Sequence, residues 1–144
     1  MPTFFYFVRN SNFDIFNTTI PFDQLQTNIG NAMNTSGIFT APRTETYFFS
    51  FMGMAYLPAS STAYLGVLLS KGAMGIGMGA VKEDKTYSGK QTTLALQSTL
   101  KLQTGEQVYL RINYMSPGAY LSDDGRHLSH FTGFMLEEDI EASL

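Results

Sequence analysis

Tyr47-Phe48-Phe49-Ser50-Phe51 is the stretch that decides the fold of this chain. Aromatic side chains favour strands, and side chains two residues apart lie on the same face of a strand. Tyr47, Phe49 and Phe51 are therefore predicted to point to one face, and Phe48 to the other. A strand that is apolar on both faces must be covered on both faces. The chain's own core can cover one face, so the other face needs a further partner.

Composition narrows the possible functions. A chain of 144 residues fits a single domain, and we expect its core at about residues 3–136, followed by an acidic tail at 137–144. There is no Cys, which excludes disulfides, thiolate metal sites and Cys nucleophiles. The net charge is −3 without a basic run, which argues against nucleic acid as a partner. No apolar run approaches the ~20 residues of a membrane span, so no membrane insertion is expected.

The rest of the chain reads as short strands and turns. Apolar residues alternate with polar ones, most clearly at Val108, Leu110 and Ile112, and no segment has the 3.6-residue period of a helix. Roughly eight to ten such strands, separated by turn residues, indicate an all-β sandwich or barrel. Strands are expected at residues 3–9, 46–57, 63–70, 94–102, 108–112 and 131–136. Turns or polar loops are expected at 28–36, 58–62, 82–85 and 121–129.

Sites for catalysis or nucleotide binding have little support. Gly72 to Gly79 is glycine-rich, but it lacks the following Lys-Ser/Thr of a phosphate loop, so a strand and turn are expected there. A hydrolytic triad can be drawn only from neighbours in one polar loop, whereas a triad needs elements that converge. Those neighbours are His127, Asp123 or Asp124, and Ser122 or Ser129. His127 and His130 make a weak metal pair, and we expect no enzyme.

Several separated residues resemble the signature of the globular head domain of complement component C1q and its relatives. The aromatic and glycine positions that match are Phe22, Asn28, Gly30, Gly37, Phe39, Tyr47, Phe49, Phe51, Phe131 and Gly133. Together the matches extend from about Thr3 to Leu136. Two positions depart from the signature: Met33 replaces an aromatic, and Glu45 replaces a glycine. We therefore expect a divergent relative whose loop at 41–46 follows a different path.

The resemblance implies a ten-stranded jelly roll that assembles as a homotrimer, related in fold to the tumour necrosis factor ligands. Trimerisation would cover the second apolar face of the aromatic strand. Phe48, Met52, Met54 and Tyr56 are the expected subunit contacts. Members are typically secreted, and Phe4 to Val8 is too short for a signal-peptide core. The chain is then expected to be a mature or excised domain.

Relatives that bind calcium use acidic side chains in apical loops, which makes calcium a possible cofactor here. The candidate ligands are Asp84, Asp123 and Asp124, because clustered carboxylate oxygens suit this hard cation. The simpler alternative is two solvated acidic loops. The same loops supply the expected ligand contacts, which are Glu83, Asp84, Asp123, Asp124 and Arg126.

Other residues suggest an extracellular surface. Tyr87 and Tyr120 are flanked by polar loops and could stack on a sugar or contact a protein partner. Asn17 and Asn34 begin N-glycosylation sequons in expected loops. The leading hypothesis is a secreted, trimeric module that binds protein, glycan or microbial-surface ligands, as in innate immunity. The alternatives are a tumour-necrosis-factor- or cerebellin-like signalling ligand with one receptor, and a structural trimerisation head for a longer stalked protein.

Overall fold

Ten strands account for most of residues 2–136, which are the residues described by a computed structural model of the chain. The acidic tail expected at 137–144 lies outside the described residues. The strands are β1 (Phe4–Val8), β2 (Gln24–Ile29), β3 (Phe39–Thr40), β4 (Glu45–Leu57), β5 (Ser60–Lys71), β6 (Met74–Thr86), β7 (Lys90–Leu102), β8 (Gln107–Met115), β9 (Tyr120–Ser122) and β10 (His130–Leu136). No helix occurs within 2–136, and the all-β prediction is confirmed.

The strands form two antiparallel sheets that face each other. The larger sheet has the order β2-β1-β10-β4-β7, and β9 pairs with β4 beyond the end of β10. The smaller sheet has the order β3-β8-β5-β6. One hydrophobic cluster fills the space between the sheets and contains inward side chains from both of them. This is the jelly-roll sandwich expected from the aromatic and alternating patterns.

β4 is an interior strand of the larger sheet, and its aromatic residues alternate between the two faces. Tyr47, Phe49 and Phe51 are 0% exposed and lie in the core. Between them, Phe48 is partly exposed on the opposite face. β4 is held over its whole length, since it pairs with β7 on one side and with β10 and β9 on the other. The prediction that this strand is apolar on both faces therefore holds.

The signature glycines and Asn28 shape the turns around the core. Asn28 closes the turn after β2, because its side-chain amide donates to the carbonyl oxygen of Met33 at 2.9 Å. Gly30 and Gly37 have positive φ angles of 87° and 90°, a conformation that favours glycine. A Cβ on Gly37 would also lie 2.1 Å from the carbonyl oxygen of Ile20. Phe22, Phe39 and Phe131 are each 0% exposed in the same core.

Several boundaries differ from the sequence prediction, and β5 already begins at Ser60, within the loop expected at 58–62. Residues 82–85 are not a loop: they belong to β6, where Thr62 and Ala63 of β5 pair with Asp84 and Glu83. β2 extends to Ile29, into the stretch expected to be a turn. β9 occupies the start of the loop expected at 121–129. In each case cross-strand pairing extends a strand into residues whose own preferences favour turns.

Candidate binding surfaces

The face of the larger sheet that points away from the core is apolar. We call this the outer face and define it by the outward residues of β1, β4 and β10. Phe4, Phe134 and Phe48 stand side by side across the three strands, and the rings of Phe48 and Phe134 are 5.2 Å apart. Four residues further along β4, Met52 is 50% exposed and pairs with His130. An apolar surface of this kind, open to water, marks an interaction site.

The four predicted subunit contacts all lie on this face. Phe48, Met52, Met54 and Tyr56 alternate along β4 with buried residues. The alternation in residues 3–9 and 131–136 predicts strands there, but it does not say which strands are neighbours. The pairing of β1 with β10, and of β10 with β4, is long-range, so the sequence alone does not place Phe4 and Phe134 beside these residues. Whether a second subunit covers the face remains a prediction.

Tyr6 and His130 belong to the polar part of the outer face, together with Thr132 and Ser50. Their rings are nearly parallel at an interplanar angle of 6°, and the phenol oxygen of Tyr6 lies 2.6 Å from Nδ1 of His130. His130 therefore already has a partner at this nitrogen. Among residues 2–136 no group of three or more His, Asp or Glu side chains is arranged to hold a metal ion.

The turn between β6 and β7 (residues 87–89, the β6–β7 turn) displays one aromatic ring. Tyr87 is 91% exposed. The hydroxyl of Thr86 holds the start of the turn, because Oγ1 accepts from the amide of Ser60 at 2.7 Å and lies 2.7 Å from the carbonyl oxygen of Pro58. Gly89 holds the other end, since a Cβ there would lie 2.1 Å from the phenol oxygen of Tyr56. The turn borders a depression of about 310 Å³ that residues 83–90 line.

Charged side chains beside this turn are already paired. Glu83 and Lys90 form an ion pair at 3.0 Å, and Asp84 accepts a hydrogen bond from the hydroxyl of Thr62 at 3.2 Å. Both acidic residues stand on strand β6, which corrects the expectation that they belong to a loop. They remain close to the turn and accessible to a ligand in its depression.

Tyr120 and Tyr87 occupy different environments. The ring of Tyr120 stacks on Tyr56 at a centroid distance of 4.8 Å, and it borders a second depression of about 380 Å³. Tyr56 in turn touches the β6–β7 turn at Gly89. The stacked pair therefore joins the two depressions at one end of the sandwich, which we call the apical end. Tyr120 is a packed residue with one open side, whereas Tyr87 is free on both faces of its ring.

Asp123 is a structural residue of the loop between β9 and β10. It is only 4% exposed. Its Oδ2 accepts hydrogen bonds from the backbone amides of Leu128 at 2.9 Å and Ser129 at 3.2 Å, and its Oδ1 accepts one from Gly125 at 3.2 Å. Three of the acceptor sites of this carboxylate are therefore occupied by amides of its own loop. The expectation that Asp123 contacts a ligand or calcium stays a prediction, and its demonstrated role is to hold this loop.

Arg9 packs against the same loop. Its backbone amide donates to the carbonyl oxygen of Ser129, and its guanidinium donates to backbone carbonyls, including that of Pro21. The guanidinium also lies over the ring of Phe13 at 5.1 Å. Burial lowers the pKa of Arg9, and the carboxylates of Asp23 and Asp123 oppose this change. Arg9 thus fixes the position of the loop.

Asp124 and Arg126 are the exposed charges of this loop. The guanidinium of Arg126 donates to both carboxylate oxygens of Asp124, at 2.8 and 3.0 Å, and this hydrogen bonding lowers the pKa of Asp124. The pair is open to solvent and suits a polar contact with a partner. Asp84 belongs to a different surface, so the three predicted calcium ligands do not form one cluster. Calcium binding rests on the resemblance alone.

The geometry does not assemble the hydrolytic triad that can be drawn on paper. Nδ1 of His127 lies 2.8 Å from the carbonyl oxygen of Arg9, and Oγ of Ser122 accepts from the side-chain amide of Gln91. Ser129 is 0% exposed. His127 and Ser122 therefore bond to other parts of the chain and not to each other.

Comparison with known proteins identifies the family. A family model described as the C1q domain matches residues 4–136. The chain belongs to the C1q domain family. The match covers every strand, from β1 to β10, and agrees with the signature positions in the core.

Solved structures of low sequence identity share the C1q-like fold. The globular domain of zebrafish complement 1qA protein is 14% identical, with a TM-score of 0.68, over 95% of this chain and 99% of that one. Eiger TNF from S. frugiperda is 12% identical, with a TM-score of 0.63, over 96% of this chain and 94% of that one. No curated protein matches the chain in sequence. Within residues 2–136 no helix is long and apolar enough to cross a membrane.

Proposed function

We propose that this C1q domain is a non-enzymatic, trimeric recognition module that acts outside the cell. It binds protein, glycan or microbial-surface ligands through its apical end. The observation that carries the proposal is the outer face, where three partly exposed aromatic side chains share the surface with Met52, which is 50% exposed. C1q- and tumour-necrosis-factor-like folds commonly assemble as trimers, and C1q domains are typically extracellular.

The composition of the outer face supports assembly. On β4, the outward residues from Phe48 to Tyr56 include no Asp, Glu, Lys or Arg. Burial of apolar surface contributes roughly 25 cal/mol per Å², and this face has little charge that must be desolvated. A partner that covers it therefore gains most of the hydrophobic free energy without a large electrostatic cost.

The apical end supports recognition. The β4–β5 turn, the β6–β7 turn and the connection between β8 and β9 meet there, as shown by the approach of Gly118 to Pro58 and of Gly89 to Tyr56. Two depressions open at this end. A trimer presents three copies of it, and linked weak sites gain avidity without any new contact.

The assembly is tested by a matched pair of charge substitutions. Met52→Glu places a carboxylate on the outer face, whereas Phe16→Glu places one at an equally open position beside the smaller sheet; the two residues are 50% and 52% exposed. Sedimentation should show a trimer for the wild type and for Phe16→Glu, and a folded monomer for Met52→Glu. A wild-type monomer of 16.0 kDa at micromolar concentration would contradict the proposal.

Recognition is tested with the same variants. Wild-type protein should bind heat-killed bacteria or yeast, and the Met52→Glu monomer should bind them at least about a hundredfold more weakly because avidity is lost. Saturable binding to a single cell-surface receptor, with none to microbial surfaces, would instead favour the signalling ligand. Absence of both would leave a structural head.

A further inference from the structure

We propose that the β6–β7 turn binds an uncharged saccharide, with the ring of Tyr87 as the stacking surface. This inference rests on the proposed recognition function and names the ligand class of one apical site. Three features of the turn carry it: the exposure of Tyr87, the rigidity of the turn, and the balanced charges of the depression beside it.

Tyr87 is the most exposed of the large hydrophobic residues in the described chain. It is 91% exposed, and the next, Met74, is 60% exposed. An aromatic ring in water contributes nothing to the core, so packing does not account for the ring of Tyr87. The C–H face of a sugar ring fits such a surface, since aromatic faces are apolar and electron-rich.

The residues on either side of Tyr87 are fixed by contacts with neighbouring strands before any ligand arrives. The hydroxyl of Thr86, the preceding residue, donates to the nearer carbonyl oxygen of Pro58 at 2.7 Å, lies 3.0 Å from that of Ser60, and accepts a hydrogen bond from the amide of Ser60. Gly89, two residues after Tyr87, packs so closely on the Tyr56 ring that no larger residue fits. Preorganisation reduces the conformational entropy lost on binding, which matters most for weak ligands such as saccharides.

The charges in the depression favour a neutral ligand that is rich in hydroxyl groups. Glu83 and Asp84 contribute two carboxylates, and Lys85 and Lys90 contribute two ammonium groups. Their sum is zero, so the site attracts neither an anion nor a cation by net charge. Carboxylates only accept hydrogen bonds and ammonium groups only donate them, whereas a sugar hydroxyl does both. The volume of about 310 Å³ is at the lower limit of small-ligand pockets.

The experiment uses NMR of the wild-type trimer with four neutral disaccharides: cellobiose, maltose, lactose and N,N′-diacetylchitobiose. At least one of them, at millimolar concentration, should show saturation transfer and shift the backbone amides of residues 86–90. Tyr87→Ala should weaken this binding about tenfold, and Tyr87→Phe should retain it within about twofold because the ring face remains. Phe16→Ala removes a half-exposed aromatic ring elsewhere and should change nothing.

The outcomes separate this inference from the recognition function. If no disaccharide shifts the amides of the β6–β7 turn, or if Tyr87→Ala binds as well as the wild type, the saccharide site is wrong. A protein ligand whose binding depends on Tyr87, without any response to the sugars, would overturn the saccharide and leave the recognition function in place. Unchanged thermal unfolding of the Tyr87 variants serves as the check that the fold is intact.

Discussion

The phenol of Tyr47 donates a 2.6 Å hydrogen bond to the carbonyl oxygen of Arg43, and the amide of Arg43 lies 3.3 Å from the same phenol oxygen. Tyr47 is 0% exposed. The bond fastens the turn that leads into β4 to the inward face of the strand. Glu45, where the family signature has a glycine, is the first residue of β4, pairs with Leu102, and is not among the residues with positive φ. This position therefore does not require glycine.

Stability should fall at alkaline pH because of Tyr47. Burial raises the pKa of its phenol, and the hydrogen bond with Arg43 only partly opposes this. The folded state thus keeps its proton at a pH where the unfolded chain releases it. The contribution of Tyr47 is complete below its ordinary pKa of about 10 and is lost as pH rises through the higher pKa of the folded state. Urea unfolding between pH 8 and pH 11 should show this decline.

Tyr47→Phe is the variant that isolates the effect. This variant should be less stable than the wild type at pH 7 by about 1–3 kcal/mol, since the backbone of Arg43 loses its hydrogen bond with the phenol. Its stability should also fall less with rising pH. Tyr109→Phe is the control, because its hydroxyl donates to Gly72 from an exposed position. An alkaline decline that is unchanged in Tyr47→Phe would assign the effect to another group.

Phe49 and Phe48 are neighbours in sequence, but replacing Phe49 by Ala should lower the free energy of unfolding far more than replacing Phe48. The ring of Phe49 packs between those of Phe39, at 5.2 Å, and Phe131, at 6.3 Å. Phe49→Ala should cost about 3–5 kcal/mol and prevent folding. Phe48→Ala should leave a folded chain that assembles poorly, because Phe48 lies on the outer face. Soluble trimer from Phe49→Ala would contradict its place in the core.

The sequence predicted the fold well where local pattern and burial agree. Tyr47, Phe49 and Phe51 alternate with a period of two, and that alternation depends only on the geometry of a strand. The local sequence was less informative at residues 82–85, where Lys, Glu and Asp favour a loop but pairing with β5 holds these residues in a strand. Pairing energy is long-range and cannot be read from the paired residues alone.

The candidate site was harder to predict than the fold. Asp123 and Asp124 are adjacent and chemically identical in the sequence, yet one is buried among amides and the other is paired with Arg126 at the surface. Tyr87 and Tyr120 likewise both lie near polar loops in the sequence, yet Tyr87 is 91% exposed and Tyr120 stacks on Tyr56. These differences arise from tertiary contacts, which residue type and spacing do not encode.

Asp123→Asn should destabilise the loop between β9 and β10. An amide keeps one acceptor oxygen and directs its NH₂ group at backbone amides that need acceptors, so we expect a loss of about 1–3 kcal/mol in unfolding free energy. Asp124→Asn is the matched control and should change stability by less than about 0.5 kcal/mol, because surface ion pairs contribute little. Hydrogen exchange of the amides of Leu128 and Ser129 is the local measurement. Equal protection in both variants would contradict the structural role of Asp123.

Gly133 should tolerate no larger residue, although its φ angle is not positive. It pairs with Phe49 across β10 and β4, and a Cβ there would lie 2.3 Å from the ring of Phe5 and 2.9 Å from that of Phe49. Both rings are buried, so neither can move without disturbing the core. Gly133→Ala should therefore cost about 1–3 kcal/mol through overpacking. Gly77→Ala, in β6, meets no atom within 4 Å and should be near neutral in the same urea titration. Equal stability of the two variants would show that the rings around Gly133 move aside freely.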